Sequence, residues 1–140
     1  MGEGSAKERL FRNPRNPLDT PQETLMTITR HEESKVFAKV VEANGFVFTS
    51  GIVADDSSLD IKGQTRQTLA EIDRLLALAG TDKSKIVSTM IWVTDIRNRD
   101  AMNEVWFEWT GGKNMPVRAC VEARLASPDL LVEIQVTATK

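Results

Sequence analysis

The stretch that decides the fold is Met115–Lys140, which reads MPVRACVEARLASPDLLVEIQVTATK. It contains two runs in which apolar and polar residues alternate, joined by a turn-like segment at residues 126–129 (ASPD). Such alternation is typical of half-buried strands, because successive side chains of a strand point to opposite faces of the sheet. The sequence therefore predicts two terminal strands, each with one buried face and one presented face.

Charged side chains lie in the middle of both predicted strands. Arg118 shares a face of the first strand with Cys120 and Glu122, and Glu133 lies in the second. A charge at such a position costs desolvation free energy unless it meets a partner. Two interpretations stay open on these residues alone. Arg118 and Glu133 form a cross-strand ion pair, or the planar guanidinium binds a substrate carboxylate while Glu133 holds and activates a water.

The composition limits the classes of function that the chain can have. Its 140 residues, 41% hydrophobic and 27% charged, are ordinary for one globular domain. A net charge of −2 argues against a dedicated binder of nucleic acid or of anionic membranes, since these need a clustered basic surface. One cysteine and one histidine argue against a zinc site and against an internal disulfide. With no apolar run of membrane-spanning length and no secretory signal, we expect a cytoplasmic protein, and the residue counts indicate no obvious metal site.

The first part of the chain differs from the rest. Residues 1–22 contain three prolines and mixed charges with little periodicity, so we expect an extended or disordered N-terminal arm. Residues 23–140 show no internal repeat or linker and are expected to form a single domain. Its first element is expected to be a short edge strand at Leu25–Arg30.

A hairpin is the strongest local signal. The β-rich runs Val36–Ala43 and Phe46–Ser50 flank Asn44-Gly45, a pair that supplies the positive φ angles of a type I′ turn. Gly51 ends the second run at a point where another backbone or a ligand is expected to approach closely.

The hydrophobic period then changes to that of helices. Leu69, Ile72, Leu76 and Ala79 predict an amphipathic helix over Asp60–Ala79 that ends at Gly80. The apolar run Ile86–Thr94 predicts a central strand. A second helix is expected over Arg99–Trp109, with Asn98 as its N-cap.

The order of these elements predicts an α+β domain, with one mostly antiparallel sheet and two helices packed on one of its faces. The other face would carry Phe37, Trp92 and the alternate valines of the strands. An apolar face of this size needs a partner, so we expect an oligomer.

The remaining reactive side chains favour structural roles. His31, among charged residues near the end of the first predicted strand, is interpreted as a solvated loop residue. Cys120 is a candidate nucleophile, because Arg118 on the same face would lower the pKa of its thiol. Small buried cysteines are more often packing residues, and that interpretation is favoured. The adjacent Asp55-Asp56, without a further acidic pattern, indicates a loop rather than a cation site.

Several spaced motifs resemble the RidA/YjgF family of small imine and enamine deaminases. The motifs are Asn44–Gly51 (NGFVFTSG), Gln67-Thr68-Leu69, Val93-x-Asp95, Ala101–Glu104 (AMNE), Pro116-x-Arg118-x-Cys120-Val121-Glu122 and Val132-Glu133-Ile134. The resemblance covers Met26–Lys140. It implies a chorismate-mutase-like fold, a homotrimer with ligand sites in the clefts between subunits, and no cofactor.

The resemblance also implies roles for individual residues. Arg118 resembles the arginine that binds the substrate carboxylate, and Glu133 resembles the residue that positions the attacking water. Four further residues resemble positions that line the ligand pocket in this family: Ser50, Gly51, Asn103 and Cys120. Phe37 stands where many members have a pocket tyrosine, and the turns after Gly51 and after the arginine strand also depart from the usual pattern. These departures place the chain in a divergent branch.

The function implied by the resemblance is hydrolysis of reactive 2-imino acids, such as 2-aminoacrylate, to 2-keto acids and ammonia. Two alternatives stay open. One is a non-catalytic trimer that binds a small carboxylate and signals. The other is a ribonuclease, against which the mild acidity, the single histidine and the absence of tyrosine argue.

Overall fold

The computed structural model describes residues 27–140, so the expected arm at residues 1–22 and the start of the expected edge strand lie outside the described residues. The described chain forms one six-stranded sheet with two α-helices. The strands are β1 (Ile28–Glu33), β2 (Ala38–Ala43), β3 (Phe46–Thr49), β4 (Ile86–Val93), β5 (Val117–Glu122) and β6 (Val132–Thr139), and the helices are α1 (Ile61–Leu78) and α2 (Arg99–Thr110).

The sheet has the strand order β1-β2-β3-β6-β4-β5. All neighbours are antiparallel except β4 and β5, which are parallel. The predicted architecture is therefore confirmed, and β4 is an interior strand as expected. Asn44 and Gly45 have φ angles of 51° and 81°, so the β2–β3 turn has the positive φ at both central residues that the Asn-Gly pair predicts.

The two helices cover one face of the sheet with their apolar sides. In α1 the buried side chains include Leu69, Ile72, Leu75 and Leu76, which pack on the buried residues of β6. The side chain of Asp60 accepts a hydrogen bond from the Gly63 amide and caps the helix at the expected place. None of the helices among residues 27–140 is long and apolar enough to cross a membrane.

The expected cap of α2 is wrong. Asn98 has a helical backbone conformation and its side chain makes no capping hydrogen bond. A 3₁₀ turn at Ile96–Asn98 runs directly into the helix, and Asp95 caps that turn by accepting from the Arg97 amide. The helix thus extends an already helical segment, and the cap stands three residues earlier than the sequence indicates. The helix ends at Thr110, one residue beyond the predicted end, where Gly111 takes a left-handed φ of 66°.

The two terminal strands are formed as predicted, but they do not lie side by side. Strand β4 lies between them, and the connection of residues 123–131 passes over the end of β4. Arg118 is paired in register with Thr89, and Glu133 is paired with Trp92. The turn-like segment therefore joins strands that are second neighbours in the sheet.

The face opposite the helices is open and partly apolar. Its exposed side chains are Ile28, Phe46, Phe48, Val117 and Val121. In β5 the valine face is the exposed one, while Cys120 on the polar face packs against the core. Burial in β5 is thus the reverse of what the apolar alternation alone indicates.

Candidate functional site

The expected site residues fall into two groups on opposite faces of the sheet. Arg118 and Cys120 are in register with Thr89 and Ile91, which are buried beneath the helices. Glu133 is in register with Trp92, and it alternates along β6 with Val132 and Ile134, which are fully buried on the helix face. Neighbours in register point to the same face of a sheet. Arg118 therefore lies on the helix face and Glu133 on the open face.

This arrangement excludes the cross-strand ion pair within one chain. Arg118 and Glu133 are separated by the whole width of β4 and by the thickness of the sheet. In the part of the chain that the structure describes, neither residue has an ion-pair partner. Of the two interpretations left open by the sequence, the structure excludes the ion pair within one chain, and ligand binding by these residues stays a prediction.

Arg118 lies at a groove of about 830 Å³ between α2 and the start of β5. We call it the arginine groove. Its lining includes Asn103, Trp106, Phe107, Met115, Pro116 and Arg118. A row of carboxylates on α2, Asp100, Glu104 and Glu108, also borders it, and two of them are paired with Lys62 and Arg66 of α1. The groove thus presents one cation among apolar side chains and an acidic border.

Two polar groups in the arginine groove are available to a ligand. The guanidinium carbon of Arg118 lies 5.3 Å from the centre of the Trp106 ring, a cation–π distance, and this contact uses none of its N–H donors. The amide oxygen of Asn103 is buried and has no hydrogen-bond partner among the described residues. A buried acceptor without a donor is costly, and it marks a place where a ligand donor fits.

Cys120 has the features of a packing residue. Burial raises the pKa of its thiol, and this effect outweighs the nearby positive charges of Arg118 and Arg99, which lower it. The side chain packs against the hydrophobic core. A thiol with a raised pKa is protonated near neutral pH and is a poor nucleophile, which supports the structural interpretation.

Glu133, Gly51 and Ser50 form the second group, which we call the glutamate half-site. A Cβ atom on Gly51 would lie 2.1 Å from Oε2 of Glu133, so the carboxylate occupies the space that only glycine leaves free. Two backbone hydrogen bonds between Ile52 and Ile134, of 2.8 and 3.0 Å, hold this segment against β6. The hydroxyl of Ser50 is buried without a partner among the described residues. The group that approaches Gly51 is thus the side chain of Glu133, whereas the sequence indicated another backbone or a ligand.

Phe37 belongs to neither group within one chain. It lies in the loop between β1 and β2, where Ser34 accepts hydrogen bonds from the amides of Val36 and Phe37. Its ring is 53% exposed, so it is not part of a dry core. Its expected place in the ligand pocket therefore stays a prediction.

Sequence reasoning missed two features beside Arg118 and placed one residue wrongly. Trp106 of the predicted second helix contacts Arg118, which the sequence did not indicate. Thr89, the neighbour of Arg118 on β4, has a buried hydroxyl without a partner among the described residues. His31 is not a loop residue; it lies in β1 and bonds to Glu42, which also accepts from Lys140. Alternation of apolar and polar residues along β1 would have been needed to predict that His31 lies in a strand.

The acidic loop does not form a cation site in the described structure. Asp56 accepts hydrogen bonds from the amide and hydroxyl of Ser58, which lower the pKa of its carboxyl. Among residues 27–140 there is no group of three histidine, cysteine or acidic side chains that could hold a metal ion. Asp55 and Asp56 lie between β3 and α1, outside any named strand or helix, as the loop interpretation predicts.

Comparison with known proteins agrees with the fold. The family model described as endoribonuclease L-PSP matches residues 27–140. A RutC family protein of Haemophilus ducreyi is 41% identical over 111 residues, which are 79% of this chain and 95% of that protein. The RutC family protein YoaB of Escherichia coli is 35% identical over 113 residues, 81% of this chain and 98% of YoaB.

A crystal structure of a YjgF family member from Neisseria meningitidis shares the fold, with a TM-score of 0.79 and 40% identity. The match covers 82% of this chain and 96% of that chain. The architecture is thus the chorismate-mutase-like α+β fold that the motifs imply. Matches over nearly the whole described structure, in sequence and in three dimensions, lead to one conclusion: the chain belongs to the YjgF/RutC family.

Proposed function

We propose that the protein is an imine and enamine deaminase that hydrolyses 2-imino acids to 2-keto acids and ammonia. Its sites would form between chains, from the arginine groove of one subunit and the glutamate half-site of its neighbour. The observation that carries the proposal is the separation of Arg118 and Glu133 on opposite faces, each without an ion-pair partner among the described residues. Two copies can bring both groups to one ligand, and one copy cannot.

A ring of subunits fits this arrangement. The arginine groove lies at the β5 edge of the sheet, and the glutamate half-site lies on the open face, so the contact joins two different surfaces. Contacts between different surfaces do not give two-fold dimers; they generate rings where the rotation closes and open filaments where it does not. The exposed apolar side chains of the open face, such as Phe48 and Val121, supply surface that such an assembly would bury. We therefore propose a homotrimer.

The chemistry follows from the two groups. Arg118 binds the carboxylate of the imino acid through two charge-assisted hydrogen bonds. Glu133 of the neighbouring subunit accepts a proton from a water as the water oxygen bonds to the imine carbon. The amide oxygen of Asn103 accepts from the imine N–H. Glu133 returns that proton to the nitrogen, which gives a carbinolamine. Glu133 then takes the proton of the new hydroxyl and passes it to the amino nitrogen, so that the C=O bond forms as the C–N bond breaks and ammonia and the 2-keto acid leave.

The rate enhancement that this reaction requires is modest. General base assistance of this kind contributes roughly 10²–10⁴-fold in rate, which is enough for an imine that already hydrolyses in water. An enamine such as 2-aminoacrylate first tautomerises to the imine. No group beyond the side chains and water is needed for this sequence of steps.

The experiment is a coupled assay in which 2-aminoacrylate is generated in situ and keto acid release is followed. The wild-type protein should accelerate hydrolysis, and Glu133→Gln should abolish the acceleration. The matched control is Glu122→Gln, another strand carboxylate, which accepts from the Ile96 amide outside the proposed site. No acceleration by the wild-type protein, together with keto acid binding in calorimetry, would replace the deaminase by a non-catalytic carboxylate-binding trimer.

A ribonuclease is the second candidate, favoured by the description of the matching family as endoribonuclease L-PSP. The acidic border of the arginine groove, Asp100, Glu104 and Glu108, opposes a phosphate backbone electrostatically, so we rank this candidate lower. RNA cleavage that persists after removal of contaminating nuclease, and that Arg118→Ala abolishes, would reverse the ranking.

A further inference from the structure

We infer that Trp106 is a positioning residue for Arg118: its ring face orients the guanidinium toward the arginine groove. This rests on the proposed role of Arg118 as the carboxylate-binding group. The inference starts from the 5.3 Å distance between the guanidinium carbon of Arg118 and the centre of the Trp106 ring. Cation–π contacts operate within about 6 Å, and tryptophan is the strongest partner among the aromatic residues.

The Trp106 ring, rather than a carboxylate, contacts the guanidinium of Arg118. Among the described residues, its guanidinium has no carboxylate partner. A long side chain on an edge strand would otherwise sample many rotamers and lose that entropy when a ligand binds. A ring face restrains the guanidinium without using any of its N–H donors, all of which stay available to a carboxylate. A carboxylate neighbour would restrain it equally well but would compete with the ligand.

Trp106 is itself held in place. It is 6% exposed, and its ring centre lies 5.5 Å from that of Trp109 at an interplanar angle of 49°. The indole N–H of Trp109 donates to Asp73 of α1 at 2.9 Å, and the Lys83 ammonium lies 5.3 Å from the centre of the Trp109 ring. The two helices thus fix both rings. Residues of α1 and α2, acting through the Trp106 ring, therefore set the orientation of the Arg118 guanidinium, rather than residues of β5.

The same helix presents Asn103 three residues before Trp106, on the same side of α2. Both residues line the arginine groove with Arg118. One rigid helical turn therefore carries an unoccupied acceptor and the platform for the guanidinium. Because Trp106 orients the guanidinium, this turn keeps the distance between the Arg118 guanidinium and the Asn103 amide oxygen constant.

The test compares Trp106→Met, which fills the space without a ring face, with Trp106→Phe, which keeps a weaker one. The dissociation constant of 2-oxobutanoate is measured by calorimetry. Trp106→Met should raise it roughly two- to thirty-fold, the range that cation–π energies convert to, and Trp106→Phe should restore most of the loss. In the coupled assay the KM should rise with it while kcat stays nearly constant, since the carboxylate contact is made in both ground and transition states.

A matched control separates positioning from folding. Val105→Ala removes packing next to Trp106, at a residue that is 3% exposed. It should lower the melting temperature and leave the dissociation constant unchanged. An unchanged dissociation constant in Trp106→Met, with a lowered melting temperature like that of the control, would overturn the inference and leave Trp106 a core residue only.

A ligand-free measurement keeps the inference distinct from the proposed function. The Cδ protons of Arg118, assigned by comparison with Arg118→Lys, should show an upfield ring-current shift in the NMR spectrum. The shift should persist in Trp106→Phe and vanish in Trp106→Met. If the shift behaves in this way while wild-type protein binds no keto acid, the contact stands and the proposed function fails. If the shift is absent, the positioning role fails even where the deaminase assay succeeds.

Discussion

Gly51 and Glu133 are in direct contact, because a Cβ atom on residue 51 would lie 2.1 Å from Oε2 of Glu133. The glycine comes from the segment after β3, and the glutamate comes from the last strand of the described sheet. The contact gives the carboxylate a defined position on the open face. It also makes the size of residue 51 a direct control on the proposed water-activating group.

Gly51→Ala should therefore sharply lower imine hydrolysis at little cost in stability, since the added methyl displaces only the flexible carboxylate end of Glu133 beside an exposed residue. The control is Gly111→Ala, where a Cβ meets nothing within 4 Å and the φ of 66° costs about 1–2 kcal/mol. Denaturant melts measure the free energy of unfolding of both variants, and the coupled assay measures their rates of imine hydrolysis. A Gly51→Ala protein with full activity would show that Glu133 does not act from this position.

Arg118→Lys keeps the charge and loses the planar fork, so its affinity for a 2-keto acid should fall by about 1.5–3 kcal/mol. Arg124→Lys, in the β5–β6 connection, is the matched control and should bind as the wild type does. Calorimetry measures both. Equal affinity in all three proteins would mean that the carboxylate is bound elsewhere.

A double-mutant cycle between Arg118→Ala and Glu133→Ala tests the opposite-face geometry in solution. The two residues are not in contact within a chain, so their effects on the free energy of unfolding of a dissociated chain should add within about 0.5 kcal/mol. Urea melts at low protein concentration provide the measurement. A larger coupling energy would restore the ion pair that the strand order excludes.

Phe37→Tyr should leave the free energy of unfolding within about 0.5 kcal/mol, because the ring is 53% exposed and the new hydroxyl can reach water. If Phe37 faces the site of a neighbouring subunit, the hydroxyl should change the ratio of kcat/KM between 2-aminoacrylate and longer imino acids. An unchanged ratio would place Phe37 outside the pocket.

The proposed assembly predicts a light-scattering mass of three chains in dilute buffer. Val121→Glu places a charge on the open face, where Val121 is 39% exposed, and should dissociate the trimer and abolish activity. Leu78→Glu, at the end of α1 and 45% exposed, should do neither. A monomeric and fully active wild-type protein would contradict the shared site.

Acid should weaken the start of α2. The hydrogen bond from Arg97 lowers the pKa of Asp95 to about 2 from 3.8, and the charged carboxylate also accepts from the Arg97 amide. A lowered folded-state pKa means that the contribution is present above about pH 4 and is lost as the pH falls toward about 2. In Asp95→Asn the melting temperature should depend less on pH over that range than in the wild type. Asp55→Asn, in the β3–α1 loop, should keep the wild-type dependence.

Local chemistry explains what could be predicted from the sequence. Asn44-Gly45 specifies its turn through its own φ angles, and the Asp60 cap specifies the start of α1 through one hydrogen bond. Strand order depends on long-range packing, so the insertion of β4 between β5 and β6 could not be read from alternation. The same holds for the faces of Arg118 and Glu133, which follow from that order. The contact of Trp106 with Arg118 needs the position of α2 over β5.

Strand β6 is the last strand of the described sheet along the chain, yet it lies between β3 and β4 and joins the two halves. Without Val132–Thr139, the hairpin sheet β1-β2-β3 and the pair β4-β5 have no common neighbour. During translation, the emerging chain can therefore form its hairpin and helices early but cannot close the sheet until residues 132–139 have left the ribosome. Until then the apolar side of α1 has no complete surface to cover. We expect ribosome-bound chains stalled before residue 132 to be sensitive to protease and to engage chaperones.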